Sequence, residues 1–93
     1  MDIQYKELEK GGIFFIEEQH KKLAKITFQW KDEVTIVADH TWVDDALRGQ
    51  NIARQLLDAL VKFARENQLK IVPICSYVEV MFRRDKELAD VIA

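Results

Sequence analysis

A chain of 93 residues, 48% of them hydrophobic, has room for one domain with a modest core and none for a second. Charged residues make up 32% of it with both signs interspersed and a formal net charge of -2, which excludes the basic footprint of a nucleic-acid-binding surface. The longest apolar runs, Ile13 to Ile16 and Ile71 to Cys75, fall far short of the roughly 20 residues of a membrane-spanning helix. Met1 to Lys6 lacks the basic and then apolar order of a secretory signal, so the expected compartment is the cytoplasm.

Glycine and proline are scarce, so Gly11, Gly12, Gly49 and Pro73 each mark a structural event. Gly11-Gly12 separates an extended segment, Ile3 to Leu8, from the run Ile13 to Ile16 and predicts a hairpin, with a second turn over Glu18 to Lys21. The next segment alternates, Ala24, Ile26, Phe28 and Trp30 on one face and Lys25, Thr27 and Gln29 on the other, as a half-buried strand does. Lys31-Asp32-Glu33 turns the chain back. Val34, Ile36 and Ala38 then continue a fourth strand, with Thr35, Val37 and Asp39 facing the other way. Connections this short permit only antiparallel pairing, so these four strands form a meander.

After Trp42 the period becomes helical. Ile52, Leu56, Leu60 and Phe63, with Ala53, Leu57, Val61 and Ala64 beside them, form an apolar stripe opposite Arg54, Asp58, Lys62, Arg65 and Glu66. The helix is expected from about Gln50 to Glu66, with Asn67 at the left-handed C-terminal position. Lys70 to Cys75 is a short strand that, reached through a helix, pairs in parallel with the fourth. Pro73 places it at an edge, a bulge or a point where strands separate. Ser76 and Glu79 have the spacing of a capping box for a helix beginning at Tyr77 and carrying Val78, Met81 and Phe82. Asp85 caps one more turn to Ile92. The predicted class is α+β: one domain over residues 1–93, with a long helix on the sheet and one or two short C-terminal helices.

Strand, tight loop and helix from Asp44 to Ala53 present unpaired backbone N–H groups, and the positive end of the helix dipole, to an anion. Arg48 and Arg54 bracket this loop, Gly49 allows close approach of a phosphate, and Ala53 leaves room for the helix against the sheet. A plain loop capped by Asn51 or Asp45, with exposed arginines, fits the spacing equally well.

Arg48-Gly49-Gln50-Asn51-Ile52-Ala53 resembles the Arg/Gln-x-x-Gly-x-Gly/Ala motif of the GNAT superfamily of acyl-CoA N-acetyltransferases, whose loop binds the cofactor pyrophosphate. Asn51 stands where the central glycine would be, and asparagine tolerates positive φ better than most residues. From about Ile13 to Phe82 the chain is similar to very small GNAT-like proteins, through Asp39-His40-Thr41, the Arg48-Gly49 loop and Pro73-Ile74-Cys75-Ser76-Tyr77. The resemblance implies acetyl-CoA as cofactor, held by Arg48, Gly49, Gln50, Asn51, Ile52, Ala53 and Arg54 at its pyrophosphate and by backbone near Thr41, Trp42 and Val43 along its pantetheine arm. Two helices that wall the acceptor site in larger GNAT enzymes have no counterpart here, since no helical period precedes Trp42.

Acetyl transfer to an amine needs a base, an oxyanion donor and a proton for the departing thiolate. The resemblance brings His40 and Cys75 to the facing ends of the two splayed parallel strands. Imidazole accepts a proton at neutral pH, which makes His40 the candidate base, although it continues the Val34, Ile36, Ala38 alternation and could equally be a core-edge histidine. Cys75 precedes the second helix, where a thiolate is favoured, and is a candidate nucleophile or cofactor contact; a small buried side chain is the plain alternative. Being the single cysteine, it forms no internal disulfide, in keeping with a reducing compartment. Tyr77 is the candidate general acid, because many GNAT members place a tyrosine on that helix, and sheet packing is its alternative. His20 is expected in a solvated turn. No His, Cys or carboxylate spacing suits a metal. The leading expectation is therefore an acetyl-CoA-dependent N-acetyltransferase with an unidentified amine acceptor, and the alternative a non-catalytic acetyl-CoA-binding module. A domain without cofactor would require the Arg48 loop to be coincidental. The default state is a monomer, with the first strand an edge that a second copy could pair.

Overall fold

A computed structural model describes residues 2–93. Five strands lie in the order β1 (Gln4–Leu8), β2 (Gly11–Glu18), β3 (Lys21–Asp32), β4 (Thr35–Val43) and β5 (Lys70–Pro73). The first four pair antiparallel and β5 pairs parallel with β4, from Thr35↔Lys70 to Ala38↔Pro73. A 3-10 turn (Asp45–Leu47) leads to helix α1 (Ile52–Glu66), and helix α2 (Ser76–Arg84) and a second 3-10 segment (Lys86–Val91) close the chain. The class is α+β, as the residue pattern predicts.

One face of the sheet carries all the helical layers. Phe14, Ile16, Ala24, Ile26, Phe28, Ile36 and Ala38 from the strands join Leu56, Leu57 and Leu60 of α1 and Val78 and Phe82 of α2 in one core. The apolar stripe of α1 supplies its centre because residues three and four apart share a face. The C-terminal segment is pinned to the sheet where the Ala93 N–H donates to the Ile71 carbonyl at 3.0 Å. Among the described residues, no helix is long and apolar enough to cross a membrane.

Several local expectations are corrected. The first hairpin turns at Glu9-Lys10, and Gly11-Gly12 open β2. These glycines serve close packing, because a Cβ on Gly11 would lie 1.9 Å from the Phe28 carbonyl oxygen and one on Gly12 2.7 Å from the Phe28 ring. The second turn holds Gln19 and His20 at φ 52° and 66°, a left-handed pair suited to the twist of a tight hairpin. Trp30 stays on the core face opposite Ile36 but is not covered, and Val34 does not join β4. Trp30 sits 44% exposed beside Phe28, and Val34 lies in the β3–β4 turn, because pairing shifts between Trp30 and Asp32.

Helix α1 begins two residues later than Gln50. At its end Gln68, not Asn67, takes the left-handed conformation, at φ 56°. Asn67 instead donates its side-chain amide to the Phe63 carbonyl at 2.8 Å. The Ser76–Glu79 capping box does not form: Cys75 is the N-cap of α2, and Ser76 already lies inside the helix. Asp85 does cap the final segment, accepting from the Glu87 N–H at 3.0 Å.

Candidate functional site

The loop before α1 is shaped by two left-handed residues. Buried Leu47 anchors it, Arg48 is extended, Gly49 sits at φ 81° and Asn51 at φ 59°. Asn51 is the N-cap yet its side chain makes no capping bond, and no acidic residue occupies the first turn. The opening N–H groups of α1, from Ile52 to Arg54, therefore lack side-chain acceptors, and the helix dipole adds positive potential there. A Cβ on Gly49 would meet nothing within 4 Å, so the loop is open toward solvent. Ile52, 4% exposed, seats this turn on the core, whereas Ala53 is only half-buried and stands outside the core cluster. Gln50 contributes its carbonyl to the Gln55 amide at 3.2 Å.

The two arginines differ in role. Arg48 is exposed and meets the equally exposed Asp45 at 2.9 Å. Arg54 joins Asp58 at 2.8 Å and Asp85 at 2.5 Å, tying α1 to the segment after α2. Hydrogen bonds from Asp85 and then Asp58 raise its pKa above the usual guanidinium range. Its charge is already shared by two carboxylates, which leaves Arg48 as the freer cation beside the loop. Asp58 stands at i+4 from Arg54 on the helix, while nothing in the sequence tied Asp85 to Arg54.

The second part of the site is an opening between β4 and β5. Parallel pairing ends at Ala38↔Pro73, as the proline anticipates, but β4 continues to Val43. The Ala38 carbonyl accepts both the Ile74 N–H (3.1 Å) and the Cys75 N–H (2.9 Å). Beyond it, the flank of β4 toward β5 has no strand partner among the described residues from Asp39 through Thr41, Trp42 and Val43. Cys75, half-buried, points its Sγ at Thr41 Oγ1, 3.4 Å away. Tyr77 packs half-buried at the start of α2, and its pKa is raised first by burial. Arg54 opposes that shift, and Asp58 and Cys75 add to it.

A β-bulge decides where His40 goes. Phe28 pairs with Ala38 but Thr27 pairs with His40, so Asp39 is an extra residue in β4. Paired residues share a face, so Ala38 and Thr41 face the helices with Phe28 and Ile26, whereas His40 and Trp42 face the open side with Thr27 and Lys25. The alternation that would carry His40 into the core edge is broken at Asp39. His40 is exposed, in an open depression of about 330 Å³ shared with Lys22, Lys25 and Trp42. Cys75, Thr41 and Tyr77 thus gather on the helix side of the opening, and His40 lies across it.

The site is thus an uncapped helix start beside a splayed parallel strand pair. Residues 13–91 match the family described as GCN5-related N-acetyl-transferase. A GCN5-like protein of Staphylococcus aureus, solved in solution, is 37% identical with a TM-score of 0.77, over 97% of this chain and 87% of that one. A GNAT family acetyltransferase of Elizabethkingia anophelis with acetyl-CoA bound superposes with a TM-score of 0.62 at 16% identity, over 81% of this chain and 52% of its own. The ribosomal-protein-S18-alanine N-acetyltransferase of Escherichia coli gives 0.66 at 14%, over 84% and 53%. The chain spans about half the length of these two larger enzymes. No curated protein matches it. The chain belongs to the GCN5-related N-acetyltransferase family.

Proposed function

We propose that the protein is an acetyl-CoA-dependent N-acetyltransferase of minimal size, acting on a primary amine. The observation that carries this reading is the pairing of an uncapped α1 N-terminus with the unpartnered flank of β4. One suits a diphosphate, the other an amide-bearing arm. The N–H groups of Gly49 to Arg54, including Gln50, Asn51, Ile52 and Ala53, would hold the pyrophosphate, with the Arg48 guanidinium beside it. Backbone of Thr41, Trp42 and Val43 would pair with the pantetheine arm. When bound, acetyl-CoA supplies a thioester whose carbonyl carbon an amine nitrogen attacks, the carbon–sulfur bond breaking as the thiolate departs.

The residues around that position have assignable duties. Cys75, at the N-cap of α2 and against Thr41, lies at the thioester end. Tyr77 keeps its proton through neutral pH, because burial disfavours the phenolate, and can donate it to the departing sulfur. His40 is exposed on the amine side and can take the proton the ammonium must lose.

Thermal unfolding with and without acetyl-CoA tests the binding half: a melting temperature that does not move at millimolar ligand would remove the cofactor from the reading. Intact mass after incubation with acetyl-CoA and an amine panel tests the chemistry. An acetyl adduct on the wild-type chain that is absent from Cys75→Ala assigns a covalent relay, and acetylated amine without adduct assigns direct transfer. Binding without any product leaves the domain a cofactor-binding module.

A further inference from the structure

On the open face of the sheet we infer a binding site for a primary ammonium group, anchored by the Asp39 carboxylate; this rests on the acetyltransferase reading and identifies how the acceptor is held. Asp39 follows core-facing Ala38 and lies on the face away from the helices, where Thr27 donates its hydroxyl to Oδ1 at 2.6 Å and Gln29 its amide to Oδ2 at 2.8 Å. Each oxygen thus has one neutral donor, and a carboxylate accepts about four hydrogen bonds. The ion pairs among the described residues involve Lys22, Arg48, Arg54, Arg65 and Arg83, and none reaches Asp39. It is a half-buried carboxylate, fixed in orientation, without a counter-charge.

The surroundings fit a short amine. Asp39 lies in an open depression of about 450 Å³ with Leu8, Gly11, Thr27 and Gln29, and Glu9 and Lys10 form one end. Leu8 is 45% exposed and offers an apolar wall. No group of three metal-ligating side chains exists among the described residues, so the carboxylate lacks the partners a metal ion would need.

Position ties the anchor to the chemistry. The carbonyl immediately before Asp39, that of Ala38, accepts the backbone N–H of Cys75. The anchor thus sits one residue along β4 from the opening, with its carboxylate turned over β3 on the open face. His40 is paired with Thr27 and lies in the neighbouring depression, so an ammonium-bearing chain held at Asp39 would extend over Thr27 toward the candidate base.

The test is a chemical-shift titration of the isotope-labelled full chain, saturated with coenzyme A, with cadaverine, 1,5-pentanediol, or an end-blocked Gly-Lys-Gly peptide. Cadaverine or the peptide should move the amides of Thr27, Gln29, Asp39 and His40, and pentanediol should not. Response to cadaverine alone assigns the site to small amines; response to the peptide alone assigns it to lysine side chains. Asp39→Asn should weaken the amine at least tenfold. Gln29→Lys, at an exposed position, supplies an internal ammonium and should do the same with the carboxylate intact. Equal response to pentanediol, no response at these amides, or wild-type titrations in both variants would overturn the site. Coenzyme A shifts at Gly49 to Ala53 are read in the same samples. Their absence alongside amine binding would sink the cofactor reading and leave the ammonium site standing.

Discussion

Replacing Gly49 by alanine separates a glycine kept for a ligand from one kept for packing. Gly49 sits at φ 81°, and an added Cβ meets no atom within 4 Å. The cost to the fold is then the left-handed backbone alone, about 1 kcal/mol. For a domain of this size that lowers the melting temperature by roughly 4–8 °C. Gly11→Ala is the contrast, because its Cβ would lie 1.9 Å from the Phe28 carbonyl oxygen and 2.8 Å from the Gln29 Cα, both backbone atoms. Strands β2 and β3 would have to part, at a cost of about 3 kcal/mol or more. On the proposed reading the loop amides hold the pyrophosphate, and the new methyl would crowd it, so coenzyme A should bind about tenfold more weakly, a loss of about 1.4 kcal/mol. Urea unfolding with and without coenzyme A measures both quantities, since a bound ligand stabilises by a term set by its affinity. If Gly49→Ala were as unstable as Gly11→Ala, or bound coenzyme A like the wild type, the account of this loop would be refuted.

Leu60→Ala, at a fully buried position on α1, should destabilise by about 2–5 kcal/mol in the same urea assay, and a loss below 1 kcal/mol would contradict the placement of the core. Asp85 is held below its ordinary 3.8 first by the hydrogen bond from Arg54 and then by that from the Glu87 N–H. Its contribution is thus present above pH 3.8 and lost as the pH falls through the depressed value. Acid unfolding of Asp85→Asn should accordingly show a flatter dependence below pH 4 than the wild type. Tyr77→Phe keeps the packed ring and removes the proton, so kcat should fall with KM little changed and stability near wild type; an unchanged kcat would remove Tyr77 from the chemistry. Deleting Asp39 restores regular pairing opposite Thr27, and the amides of Thr41 to Val43 should gain protection from hydrogen exchange while coenzyme A binding falls.

The order and direction of the strands were readable because a two-residue period and a 3.6-residue period are strong, local signals. Ala24, Ile26 and Phe28 against Lys25 and Thr27 define β3, and Ile52 to Ala64 define α1. Val34 misled, since it extends an alternation past the start of β4 into the turn, and Trp30, on the predicted face opposite Ile36, is left 44% exposed; only tertiary pairing reveals both. Ser76 illustrates a one-residue slip: the motif spacing is present, but the geometry after Pro73 makes Cys75 the first cap. For the site, the Arg48-Gly49 loop and the left-handed tolerance of Asn51 were legible, and Pro73 marked the place where strands separate. The engagement of Arg54 by Asp85 was not, because it joins residues 31 apart through folding of the whole chain.

The bulge at Asp39 explains why the candidate residues divide between two faces. A regular β4 would send Ala38 and His40 to the same side, and the histidine would be desolvated among Phe28 and the α1 leucines. One extra residue turns His40 outward and leaves Thr41 inward against Cys75. A bulged strand also bends. That bend falls next to Ala38, the last residue of β4 paired with β5. The same irregularity therefore falls where the parallel strands part, and it sends the imidazole to the face opposite the thiol. On the acetyltransferase reading proposed above, this arrangement would give thioester and amine separate approaches from the two faces of the sheet.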